Sequence, residues 1–218
     1  MSKKYIYLSY FLDHKTPIYG GDKGISISEN SSIKKGDTAN TKILSFHNHS
    51  GTHIDFPNHF IDEGKKSDDY EAGFWIFENP YLININVLEN ELININKKKL
   101  NSIPKNTDFL IFNTGFHIYR DDERFWKYNP GFAPEMAEKL KNHCPNLKII
   151  AMDTISLTSF QNREIGRISH KNFLGESNLL IVEDIDLRFL KTHPKKIMCF
   201  PLLVKSVDGS PVTIIAQV

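Results

Sequence analysis

Apolar runs separated by short polar or glycine-rich stretches dominate the chain. YIYLSYF (5–11), TKILSFH (41–47), YLININV (81–87), DFLIFNT (108–114), LKIIAMD (147–153), NLLIVED (178–184), KKIMCFPLLV (195–204) and PVTIIAQV (211–218) are rich in β-branched, aromatic and aliphatic residues bounded by turn formers, which predicts strands. The turn VDGS joins the last pair. One segment, APEMAEKLKNH (133–143), carries the helical pattern instead, with Met136 and Leu140 on one face and Pro134 near its start. KTPIYGGDKG (15–24) is predicted as a loop, and DEGKKSDDYEAG (62–73) as a polar loop or short helix. LININ occurs at 82–86 and again at 92–96, too short a match in a chain rich in Ile and Asn to define a repeat. The pattern predicts an α/β fold, strand-rich with few helices, in a single domain over 1–218 with no linker.

Composition narrows the function. The 27 basic and 26 acidic residues of the 218 nearly cancel, so no electrostatic grip on nucleic acid or a membrane surface is expected. No stretch approaches the roughly 18 consecutive apolar residues of a membrane span, and the start MSKKYIYLSYFLDH lacks a leader's apolar core. A soluble cytoplasmic protein is expected, with Cys144 and Cys199 reduced, since their separation fits no metal motif and a chain of this size needs no disulfide.

The densest chemistry is HSGTHIDFPNHF (49–60), with three histidines and an aspartate in twelve residues. Gly51 and Pro57 argue against a helix. In an extended segment the odd positions His49, His53, Asp55 and His59 project to one side, and Ile54, Phe56 and Phe60 to the other as packing residues. One isolated histidine is more often structural than a ligand. Four ionisable groups on one face have a high desolvation cost unless a metal or a reaction uses them. Imidazole nitrogen and carboxylate oxygen suit zinc, manganese and similar divalent ions, and a carboxylate can bridge two. His47 reads as the structural end of its strand.

HSGTHIDFPNH resembles the H-x-G-T-H-x-D-x-P-x-H signature of the cyclase-like metal-dependent hydrolases, which include bacterial kynurenine formamidases and isatin hydrolases, with every fixed position present. LSYFLDHKTPIYGGD resembles that family's opening, LIFNTGF (110–116) its strand ending in TG, AMDTISL (151–157) its G-x-D-x-x-S segment, and SVDGSPVTIIA (206–216) its closing hairpin. The resemblance runs in order through nearly the whole chain. It implies a swivelling β/β/α domain and one or two divalent ions, zinc or manganese, on His49, His53, Asp55, His170 and Glu183, with Asp55 shared. His170 lies in RISHKNFL and Glu183 in LLIVEDI; without the resemblance they read as a surface-loop histidine and a strand-end acid. His59 is implied as the general acid/base. The implied activity is hydrolysis of an amide-type bond, in an aryl formamide such as N-formylkynurenine or in a cyclic amide, by an ion-activated water. The alternatives are a non-hydrolytic cyclase or dehydratase on the same scaffold, and a metal-binding protein without catalysis. Retention of a free base at His59 argues against the last.

Two departures bear on the substrate. Tyr19 stands where the kynurenine formamidases usually have a substrate-packing tryptophan, with Gly20 where proline is frequent. Thr158 stands where the family's D-x-x-S-x-D segment ends in an acid. Tyr19 remains the implied substrate contact. His117, Tyr119 and Arg120 read as part of a solvated, charged loop. A homodimer or homotetramer is expected, because family members associate and the aromatic of the TPIYGG loop has little to pack on nearby in sequence.

Overall fold

The computed structural model describes residues 4–21 and 24–218; Met1 to Lys3 of the basic opening, and Asp22 and Lys23 at the end of the first loop, lie outside the described residues. The elements in chain order are β1 (Tyr5–Tyr7), β2 (Ile25–Ser31), β3 (Thr41–Phe46), β4 (His53–Asp55), β5 (Ile76–Phe77), β6 (Pro80–Asn84), β7 (Leu92–Ile93), α1 (Lys97–Asn101), β8 (Phe109–Asn113), α2 (Arg124–Lys127), β9 (Gly131–Phe132), α3 (Met136–His143), β10 (Ile149–Met152), α4 (Arg163–Lys171), β11 (Leu180–Glu183), β12 (Lys196–Pro201) and β13 (Gly209–Gln217). The fold is a strand-rich α/β arrangement with few helices, as the pattern predicts.

Nine strands form the main sheet, in the order β5-β12-β13-β4-β11-β10-β8-β6 with β1 added on β13. β6, β8, β10 and β11 run parallel, and the pairs around β4 and β13 are antiparallel. β13 serves two regions: Gly209 to Pro211 pair with Asp55 to His53 of β4, and Ile215 to Gln217 pair with Tyr7 to Tyr5 of β1.

The parallel strands are apolar without alternation because both of their faces are covered. Phe109, Ile111, Ile149, Ala151, Leu180 and Val182 face a core shared with β12 and β13, whereas Leu110, Phe112, Ile150, Met152 and Ile181 face α3. Each large side chain so buried contributes about 1.5–3 kcal/mol. α3 covers its face with Met136, Ala137 and Leu140, the periodicity expected for 133–143.

Beyond the short elements β5, β7, α1, α2 and β9, which the pattern does not announce, three segments differ from it. The strand expected over 5–11 stops at Tyr7, with only an isolated bridge from Ser9 to Ile185 beyond it. ISISENS forms β2, paired with β3 alone and largely exposed, so its serines carried no burial signal. The third is α4, whose inward face consists of Gly166, Ser169 and His170, while Ile165 and Ile168 point to solvent. Its apolar residues mark the wrong face, so hydrophobic periodicity does not reveal it. A π-helical turn over Asn172–Glu176 follows and buries Phe173 and Leu174.

Cys144 and Cys199 are both buried and unpaired. Among the described residues no helix is long and apolar enough to cross a membrane.

Candidate active site

β4 sets the geometry of the site. In its antiparallel ladder with β11, His53 stands directly opposite Glu183, and Asp55, two residues on, shares their face. Ile54 points the other way and is fully buried in the core. α4 brings His170 over the same face. The result is a ring alternating in nitrogen and oxygen: His53 Nε2 lies 3.5 Å from Asp55 Oδ1 and 3.4 Å from Glu183 Oε2, and His170 Nε2 lies 3.6 Å from Asp55 Oδ2 and 3.5 Å from Glu183 Oε1. All four residues are buried, and no lysine or arginine among the described residues pairs with either carboxylate.

The ring is shaped to hold a cation. His53 Nδ1 is 2.8 Å from the Gly51 carbonyl, and His170 Nδ1 is 2.9 Å from the Gly166 carbonyl, so on both rings the partner places the proton on Nδ1. With the ring neutral, each Nε2 would present a lone pair to two carboxylates, an arrangement that is repulsive, so a proton or a cation is needed between them, and the raised His170 pKa reflects the proton. The separations of 3.4–3.6 Å exceed a good hydrogen bond. Each is close to the ~3.4 Å between donor atoms placed ~2.1 Å from a tetrahedral ion, and His53, Asp55 and Glu183 offer ligand atoms all within 4.8 Å of one another, while His170 adjoins that group through both carboxylates without belonging to it. Gly51 contributes through its backbone: its φ of +62° turns that carbonyl toward His53, and a Cβ there would overlap Leu12.

A second group adjoins the first through Asp55. His49 Nδ1 lies 2.8 Å from Asp55 Oδ1, and His49 Nε2 lies 3.0 Å from Asp208 Oδ2. The same Asp208 oxygen is 2.8 Å from His59 Nδ1, and the His49 and His59 rings stack at 3.9 Å. Ligand atoms of His49, Asp55 and His59 all lie within 4.8 Å of one another, as do those of His53, Asp55 and Glu183, so Asp55 belongs to both groups. Burial alone would lower the His49 pKa, but its hydrogen bonds to Asp208 and Asp55 outweigh this and raise it to about 10. For His170, burial is likewise outweighed by Asp55 and Glu183, giving about 9. Burial would raise the Asp55 pKa, and the His170 and His49 imidazoles hold it well below the usual carboxylate range. His49 also holds Asp208 below its ordinary value.

Neighbouring loops fix these groups. The Leu157 amide, at 2.7 Å, and Ser156 Oγ, at 3.1 Å, donate to Glu183 Oε1. Asp153 is fully buried and accepts from the Thr114 and Gly115 amides and from His117, tying the turn after β8 to the end of β10. Glu183, Asp153 and Thr114 all lie at the carboxyl ends of parallel strands, the usual place for a site in such sheets. The groups open into a cavity of about 830 Å³, whose walls include Tyr19, Phe60, Thr158, Arg163 and Arg167.

The structure therefore brings His49, His53, Asp55, His59, His170 and Glu183 together and sets Tyr19 on the same cavity, but by a different local route from the one expected. The odd-number alternation holds only over His53–Asp55; Gly51 breaks it on one side, and a 3₁₀ turn over Pro57–His59 on the other. Phe56 is core, as expected, whereas Phe60 lines the cavity and stacks on His170 at 4.4 Å. Arg120 is no solvated loop residue, since it forms a two-pronged ion pair with buried Asp184 at 2.8 and 2.7 Å. Tyr19 packs within its own chain, edge-on to Phe160 at 5.5 Å. Asp208 went unrecognised in sequence because it sits in the VDGS turn, where an Asp before Gly needs no further reason. A Cβ on Gly209 would overlap the His49 ring, so the glycine beside Asp208 gives that imidazole its room.

Residues 6–159 match the family described as putative cyclase, and the chain belongs to that family. It is 26% identical over 212 residues to a kynurenine formamidase of Bacillus cereus, covering 97% of this chain and 96% of the relative. It is also 26% identical over 190 residues to cyclase-like protein 2 of Arabidopsis thaliana, covering 83% of this chain and 66% of that relative's length. Among solved structures, isatin hydrolase A from Labrenzia aggregata superposes with a TM-score of 0.82 at 18% identity, covering 99% of this chain and 94% of that one. The fold is thus the swivelling β/β/α domain that the resemblance implies.

Proposed function

We propose that the chain is a metal-dependent hydrolase of an amide-type bond, acting on an aryl formamide of the N-formylkynurenine kind or on a cyclic amide. The observation that carries this is the buried ring of His53, Asp55, His170 and Glu183, in which two imidazole Nε2 atoms face two carboxylates that no lysine or arginine among the described residues neutralises. His49 and Asp55 extend the donor set toward a second ion, and zinc or manganese suits these nitrogen and oxygen atoms. A divalent ion bound there supplies Lewis acidity, polarising the substrate carbonyl and acidifying water.

The chain's own residues handle the proton and the substrate. Asp208 accepts from His59 Nδ1 and so orients that ring, making its other nitrogen the one that exchanges a proton in the reaction. His59 takes a proton from the attacking water as the water oxygen bonds to the carbonyl carbon, and returns it to the leaving nitrogen as the C–N bond breaks. Phe60 and Tyr19 give the cavity aromatic walls for an aryl substrate. The kynurenine formamidase likeness over nearly the full chain supports the choice of bond.

Metal content and turnover of three variants test this. His59→Ala keeps most of the metal and loses turnover by roughly 100- to 10,000-fold. His53→Ala and Asp55→Ala lose both, with Asp55→Ala the more severe because it takes part in both groups. If His59→Ala sheds metal as fully as Asp55→Ala, His59 is a ligand and the base lies elsewhere. Full metal with no turnover on any amide transfers the chain to the cyclase or dehydratase alternative.

A further inference from the structure

The chain has five arginines. Arg120, Arg124 and Arg188 pair with Asp184, Asp122 and Asp186. Arg163 and Arg167 have no carboxylate partner among the described residues, and both line the cavity. They lie on α4 at seven and three residues before His170, on the helix face that carries it toward the ion ring. At 1.5 Å rise per residue this sets them about 10 and 4.5 Å from His170 along the helix axis.

Arg163 is already held in place. Its guanidinium stacks on the Phe160 ring at 3.9 Å, and Phe160 is braced by Tyr19 at 5.5 Å and Trp126 at 5.1 Å. Stacking occupies the face of the guanidinium and leaves its in-plane N–H edge, which approaches the Tyr19 hydroxyl, without a carboxylate, the group that this edge pairs with two-pronged. Beside it the Tyr19 hydroxyl is buried without a hydrogen-bond partner among the described residues. Burial raises the Tyr19 pKa to about 12 against the charge of Arg163 and its approach to the hydroxyl oxygen, so the hydroxyl keeps its proton, and with Arg163 able only to donate, that proton has no acceptor. A buried donor without an acceptor costs free energy that a ligand oxygen would recover.

We propose that Arg163, Arg167 and the Tyr19 hydroxyl form an anion recess for a carboxylate of the substrate, so that the amide hydrolysed is an acid bearing its carboxylate several bonds from the scissile carbonyl. This rests on the amide-hydrolase reading for the reacting bond, while the recess rests on the arginines alone. It separates the two substrate types named above, since a neutral cyclic amide leaves the recess unfilled.

The test is calorimetric titration of the metal-loaded protein with 3-benzoylpropionate, an aryl ketone acid, and with its neutral methyl ester. The acid binds the wild type roughly 10- to 100-fold more tightly than the ester, and Arg163→Gln/Arg167→Gln removes that preference. Arg163→Lys and Arg167→Lys keep part of it through charge without the fork, and metal content and melting temperature report the integrity of every variant. Acid affinity that survives in the double Gln variant places the carboxylate on the ion, and overturns the recess. Tighter binding of inorganic phosphate than of the acid overturns the carboxylate assignment. Arginine-dependent acid binding without turnover of any amide refutes the hydrolase reading and leaves the recess standing; turnover of amides with no acid preference does the reverse.

Discussion

In the proposed ligand set, protons and an ion compete for the same nitrogens at the level of single residues. His49, raised to about 10, and His170, raised to about 9, are both protonated at pH 7 in the metal-free protein. Uptake of ions on both must expel their protons. Ion affinity is therefore expected to rise with pH from 7, by up to ~10-fold per unit for each proton released, less steeply above about 9 where His170 is already neutral, and to level off above about 10. Calorimetry at pH 7 in buffers of different ionisation enthalpy should count close to two protons released, and a pH-independent affinity would refute the ligand assignment. Stability of the metal-free protein moves the other way: a folded pKa above the model value of 6.5 means that the His49 contribution is complete below that pH and is lost as pH rises through about 10.

Individual elements converge on one joint, the end of β11. Asp184, immediately after Glu183, has a left-handed φ of +51°, donates its amide to the Thr154 carbonyl, accepts at its own carbonyl from Thr52, and holds Arg120 two-pronged. Arg120 also stacks on Tyr10 at 3.7 Å, so β4, the β10 loop and the turn after β8 meet at this pair. Arg120→Ala strands the Asp184 carboxylate, 2% exposed, without its partner. A loss of about 3–5 kcal/mol is expected, a fall in melting temperature on the order of 10 °C, with metal affinity falling as Glu183 loosens. An unchanged melting temperature would show that the pair is not structural. The same joint marks how far sequence reasoning reaches. Runs such as LKIIAMD and NLLIVED announce β10 and β11 because strands buried on both faces are apolar throughout. The histidines of the signature are legible as chemistry, whereas Glu183 reads as an ordinary strand-end acid until the family resemblance singles it out. α4 is not legible, because a helix that lines a polar site turns Gly166, Ser169 and His170 inward and its isoleucines outward. Arg120 and Asp208 escaped for a related reason: their partners, Asp184 and His59, lie 64 and 149 residues away.

Taken whole, the molecule has an apolar surface outside the site. Tyr7, Phe11, Leu44, Phe200, Leu202 and Leu203 line a recess of about 710 Å³, with Phe11 and Leu203 each 88% exposed. Association of copies would cover it, and a dimer or tetramer is the expected state. Light scattering at micromolar concentration should give two or four times 25.1 kDa, and Leu203→Asp should lower it to one; a wild-type mass of one chain contradicts the expectation. The long reach of β13 has a further consequence, for when an ion can be taken up. Asp208 and Gly209, which close the second group, come 159 and 160 residues after His49. At roughly 5–20 residues per second, a ribosome needs roughly 10–30 s to pass from one to the other. Throughout that interval the proposed ligands in HSGTHIDFPNH lack the strand partners that close the site, and free imidazoles by themselves favour copper over zinc and manganese. On the proposed ligand set, discrimination among metals therefore falls to the finished sheet, after synthesis, and the shape of the closed site has to supply what free-ligand affinity does not.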